Sequence, residues 1–107
     1  MRASKTALIL LAFTSACRCA SAAEWSFCIA PADRENRIYV SRPFVSGGAK
    51  AEQEFDETLW ARRFEHDSVQ CPRADSEAAA VVMHQHAVDA NRDLDRQVID
   101  MPWRPLR

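Results

Sequence analysis

The side chains best equipped for chemistry are three histidines, four cysteines and the acids near them. His84 and His86 form a His-x-His pair. On a strand both rings would point the same way and could share a metal ion; on a helix they stand about 200° apart and cannot. Residues Ser76 to Leu94 have helical periodicity, so no metal site is expected there. Gln85, His86, Asp89, Arg92 and Asp93 fall on the solvated side of that helix. His84 falls in the apolar stripe, with Ala80, Met83, Ala87, Val88, Asn91 and Leu94. There, His84 and Asn91 are expected either to be hydrogen-bonded core residues or to form the polar floor of a small pocket between helix and sheet. His66-Asp67-Ser68 holds the residue types of a hydrolase triad, but consecutive residues do not converge on one point, and a loop turn is the better reading. The chain has no nucleophile elbow, phosphate loop or His-Glu-x-x-His motif, so neither catalysis nor a cofactor is expected.

The cysteines are best understood through the start of the chain. Arg2 and Lys5 precede the apolar run Ala7–Phe13, and small residues follow up to Ala20-Ser21-Ala22-Ala23. This is the pattern of a secretory signal peptide over 1–22, with cleavage after Ala22 and a single domain over 23–107. The apolar run is shorter than the roughly 20 residues of a membrane span, so no transmembrane anchor is expected after processing. Thr14-Ser15-Ala16-Cys17 offers an alternative, a lipoprotein site with Cys17 lipidated. Cleavage after Ala22 removes Cys17 and Cys19 and leaves Cys28 and Cys71, an even pair that in an exported chain predicts one disulfide. It also leaves 11 basic residues against 15 acidic ones, a net charge of −4. That balance argues against nucleic acid as a partner, which demands clustered Lys and Arg.

The elements that position these groups follow from pattern. Trp25–Ala30 and Arg37–Phe44 read as strands joined by the turn formers of Pro31–Asn36, giving an antiparallel hairpin that ends or reaches an edge at Pro43. Ala49 to about Arg63 reads as a helix with the buried stripe Ala51, Phe55 and Leu59; Trp60 lies off the stripe and Phe64 turns back into the core. Asp67–Pro72 reads as a third strand, Asp75 or Ser76 caps the second helix, and Asp95 stands where a left-handed stop is needed. Gln97–Met101 reads as a last strand. The order β-β-α-β-α-β predicts an α+β fold: a two-layer sandwich, four strands in one sheet, both helices on one face, one disulfide. Cys28 and Cys71 then fall on the first and third strands, which must be neighbours or flank a shared end of the sheet for the bridge to form.

The segments Tyr39–Phe44 and Val69–Arg73, each followed by a short loop and an Ala-rich helix, form a weak internal repeat. Over residues 38–101 this resembles the strand–loop–helix unit of the sporulation-related repeat (SPOR) family. That family binds peptidoglycan glycan strands on its sheet, so the resemblance implies an envelope glycan as ligand. Tyr39, Arg42, Phe44 and Arg73 are candidates for a mixed aromatic and basic surface. Trp25 and Trp103 are expected to pin the ends of the domain, with Trp103 the candidate for stacking on a ligand. Together these features predict a small periplasmic or secreted interaction module that binds a cell-envelope protein or peptidoglycan. The rival reading is a metal-dependent protein or enzyme using His84, His66 and nearby carboxylates.

Overall fold

The computed structural model describes residues 24–46 and 50–106. The expected signal peptide, its cleavage site and Cys17 lie outside them. The described chain is α+β, in the order β1 Trp25–Ser26, β2 Ile29–Ala32, β3 Arg37–Ser41, β4 Phe44–Val45, α1 Ala51–Ala61, β5 Arg73–Ala74, α2 Glu77–Asp93 and β6 Gln97–Met101. A single 3-10 turn, Asp33–Glu35, links β2 to β3 and closes on Asn36, whose φ of 55° is the left-handed geometry that Asn tolerates.

Sequence pattern predicts one sheet of four strands; the structure forms two sheets of three, ordered β4-β1-β5 and β2-β3-β6. The division has a local cause. Ser26 pairs with Phe44 and Ile29 pairs with Val40, so two residues on one side face three on the other, Ser41, Arg42 and Pro43. That is the count of a β-bulge, and Pro43, with no N–H to give, sits in it. Ser41 mends the ladder there: its N–H donates to the Cys28 carbonyl at 2.9 Å, and its Oγ accepts the Cys28 N–H at 2.8 Å. The hairpin is thus present, but each of its strands is broken in two.

The expected third strand, Asp67–Pro72, is displaced. Its regular part is Arg73–Ala74, preceded by a single bridge in which Ile29 and Gln70 exchange both backbone bonds, at 2.8 and 3.0 Å. The pairings Ser26 with Arg73 and Ile29 with Gln70 share one register, which puts Cys28 opposite Cys71. The two are joined as the expected disulfide, with Cα atoms 4.0 Å apart, and of the two arrangements open to the strands it is the neighbouring one that forms. They occupy a non-hydrogen-bonded site beside the Ile29–Gln70 pair, where opposed Cα atoms come closest. The last strand, β6, lies parallel to β3, from Arg37 beside Gln97 to Ser41 beside Met101.

Where the helices sit is the main correction to the sequence reading. Alternate strand residues point to opposite faces. Cys28, Ala30, Tyr39 and Met101 pack with Phe55 and Leu59 of α1. Phe27, Ile38 and Val40 pack with Val88, Met83 and Ala87 of α2. The helices therefore cover opposite faces, and the fold has three layers instead of two. The reason lies in β3, where Ile38, Tyr39 and Val40 are buried in succession. A strand apolar on both sides needs cover on both sides.

Both helices stop in the same way, on residues that are not glycine. In α1, Phe64 N–H donates to the Leu59 carbonyl and Arg63 N–H to that of Trp60, both at 2.9 Å, with Arg63 at φ 62°. In α2, Arg96 N–H donates to the Asn91 carbonyl at 3.0 Å and Asp95 N–H to that of Arg92 at 2.8 Å, with Asp95 at φ 62°. These are paired Schellman closures, and in the first Phe64 folds back on the core beside Leu59. Asp95 thus fills the left-handed position expected of it. At the other end of α2, Ser76 Oγ accepts the Ala79 N–H at 3.1 Å, so Ser76 and not Asp75 is the cap. Because an exposed Arg gains nothing from a left-handed backbone, Arg63→Gly should stabilise the protein by about 1 kcal/mol. Urea melts check this; an unchanged or lowered midpoint would refute it.

Candidate functional site

The residues singled out by sequence fall into three separate places. Tyr39 and Phe44 are core residues, 2% and 5% exposed. Tyr39 stacks on Phe64 at 5.1 Å, and Phe44 meets Trp103 edge-on at 5.8 Å. The expected aromatic and basic surface therefore does not form, because α1 and the C-terminal tail cover its aromatic half. Arg73 is exposed at the far sheet, 3.6 Å from Glu24. Trp103 is half-buried, tilted against Phe55 at 4.8 Å, and it holds the tail to the α1 face as an end-pinning residue would. The tail is tied again where Leu106 N–H donates to Glu54 Oε1 at 2.9 Å.

His66 is buried on the α1 side. Its Nε2 lies 2.7 Å from Asp56 Oδ1 and its Nδ1 2.7 Å from the Phe64 carbonyl, with Trp60 against the ring. Asp67 turns the other way, its N–H donating to the Pro31 carbonyl at 2.7 Å. His66-Asp67-Ser68 is thus a turn that fastens α1 to β2. His66 and His84 lie on opposite sides of the sheet and cannot serve one site. Among the described residues no group of three His, Cys, Asp or Glu side chains is placed to hold a metal ion.

His84 lies between α2 and the parallel pair β3–β6, in an open groove of about 410 Å³. Val40, Val88 and Val98 form its apolar floor; Arg42, Gln85, Arg92 and Asp100 form its rim. The volume is within the range of small-ligand sites. The sequence places each part simply. His84, Val88 and Arg92 are at i, i+4 and i+8 of α2 and share a face. Val40 and Arg42 follow one another along one face of β3 and its continuation, as do Val98 and Asp100 along β6.

The polar groups there are incompletely matched. His84 Nε2 is buried and has no hydrogen-bond partner, with the Phe27 ring edge-on at 5.4 Å. Asn91, the expected companion of His84, is engaged elsewhere. Its Nδ2 donates to the Ala87 carbonyl at 2.7 Å, and its Oδ1 accepts from Arg96, which continues to Asp33 at 3.0 Å. Arg42 and Asp100 approach to 3.6 Å with both side chains exposed, a pairing worth little in water. Arg92 has no ion-pair partner among the described residues.

Arg42, His84 and Trp103 are the sequence candidates found in or beside this groove; Asn91 stands behind it as a brace. Sequence reasoning missed Arg92 and Gln85, assigning them to the solvated side of α2, and missed Asp100. The spacing of Arg92 from Val88 and His84 is the signal that would have found it. Leu94, expected in the buried stripe, is instead 65% exposed, because the helix has closed at Asp93 and the chain is already turning.

No protein-family model, curated protein or solved structure matches this chain. No helix among the described residues is long and apolar enough to cross a membrane.

Proposed function

We propose that this protein is exported under the direction of residues 1–22, in the periplasm or secreted, and acts there as a non-catalytic interaction module of the cell envelope, taking its ligand, a glycan or a protein, in the groove at His84. The observation that carries this reading is the buried Nε2 of His84, without a partner among the described residues, beside an apolar floor and the Arg92 guanidinium, which has no ion-pair partner among them. Buried polar atoms are ordinarily satisfied, and this one lies behind a groove that its own side chain helps to line. The Cys28–Cys71 bridge supports export, since such bonds persist in oxidising compartments. The SPOR resemblance supports an envelope ligand, but with both faces of the sheet covered the ligand site moves from the sheet to the edge of α2.

The test is retention of purified mature protein on insoluble peptidoglycan and on immobilised envelope proteins. Wild type is compared with His84→Gln and Arg92→Gln. The expected result is retention by wild type, loss in both variants, and melting temperatures within a few degrees of one another. Variants that are retained like wild type would remove the groove from the binding function.

A further inference from the structure

The groove at His84 does not end at Arg42. Arg42 also lines a second depression of about 300 Å³, bounded by Pro43, Pro102, Trp103 and Arg104. The two hollows share one guanidinium and together present three: Arg92, Arg42 and Arg104. Asp100, beside Arg42, is the one carboxylate lining the two hollows; Asp89 adjoins the rim bonded to Gln85, and Glu77 lines the next hollow with Arg104. This cationic track runs across a chain whose acidic residues outnumber its basic ones, so its sign is a local feature and not the general charge of the surface.

We propose, resting on the groove as the binding site, that this track binds an acidic peptide in extended form. Its carboxylates would face Arg92, Arg42 and Arg104, and the aliphatic side chains between them would lie on Val40, Val88 and Val98. The chemistry of the lining favours a peptide over a sugar chain. Planar guanidiniums match carboxylates two hydrogen bonds at a time. The floor of the larger hollow is aliphatic, with none of the exposed aromatic faces on which sugar rings stack. Trp103 alone stands at the track, and its ring is committed to Phe44 and Phe55.

The experiment uses the full mature chain and three synthetic decapeptides, alternating Glu-Leu, Gln-Leu and Lys-Leu, followed by amide chemical shifts and by calorimetry. The Glu-Leu peptide should bind, with shifts concentrated at His84–Arg92, Val98–Asp100 and Arg104. The Gln-Leu peptide should bind at least tenfold more weakly and the Lys-Leu peptide not at all. Arg92→Gln and Arg104→Gln should each weaken the Glu-Leu peptide about tenfold, the loss of one charge-assisted pair. Arg62→Gln, on the far side of the molecule, should leave it unchanged. Equal binding of the Gln-Leu peptide, indifference to Arg92→Gln and Arg104→Gln, or no shifts at roughly millimolar peptide would each overturn the acidic-peptide proposal. If the peptide fails while Arg92→Gln still abolishes retention on peptidoglycan, the groove reading stands and only its ligand class falls. If Arg92→Gln changes neither, the groove reading falls with it.

Discussion

Cys28→Ser is expected to destabilise the folded chain by about 2–5 kcal/mol, the range for a native disulfide of a small domain. The bridge spans 43 positions and joins residues that face each other in one register, so opening it loosens the unfolded chain. The effect has a structural component too. Cys28 is fully buried among Ala30, Phe55 and Leu59, and a serine hydroxyl there has no ready partner, since the nearby Ser41 Oγ already serves the Cys28 N–H and the Arg42 carbonyl. Cys28→Ala with Cys71→Ala separates the two contributions, because it removes the bridge without burying a hydroxyl. Urea unfolding of the three proteins decides the matter. A serine variant within about 1 kcal/mol of wild type would show that the bridge contributes little.

Phe55→Ala is expected to cost about 3–5 kcal/mol, as for a large aromatic removed from a packed interior. Phe55 is fully buried and lies at the centre of the α1 side, where it also supports Trp103. Its loss should therefore appear twice, in the unfolding midpoint and as a weakened near-ultraviolet signal from the freed indole. Phe55→Leu, expected to cost less, keeps the test available if the alanine variant does not fold. Because α1 and α2 lie on opposite faces, Phe55→Leu should leave the amide shifts of His84, Val88 and Val98 unaltered while those around Trp103 change. A folded Phe55→Leu protein with altered amide shifts throughout the groove would contradict the three-layer arrangement.

The parts of this fold that local chemistry specifies were legible in the sequence. The stripe Ala51, Phe55 and Leu59, the cap at Ser76, the stop at Asp95 and the strand Gln97–Met101 are each decided within a few residues, and each forms as read. The cysteine pairing was legible for a different reason: once residues 1–22 are set aside, only one pairing is left. What escaped is what depends on distant partners. Ile38-Tyr39-Val40 is apolar without a break, so period alone cannot say which helix takes which side of β3. Pro43 announces an interruption, but not that the chain will bulge and continue as Phe44–Val45. Tyr39 and Phe44 looked like surface groups because their strand was given one open face. Arg92 looked like surface charge because the groove beneath it is built by β3 and β6, at positions 40 and 98.

The parallel pairing of β3 with β6 also bears on how the protein reaches its native state. Arg37 meets Gln97 and Ser41 meets Met101, partners sixty positions apart, and both sides of the core are completed only when β6 is in place. The hairpin and the two helices are local and can gather early, but β3 then waits with one edge unpaired. Long-range closure of this kind slows folding, since chain entropy is lost before the contacts that reward it are made. In that interval the exposed edge of β3 is a template for another chain's strand. The arrival of β6 therefore both completes the core and withdraws the edge through which unfinished copies would associate.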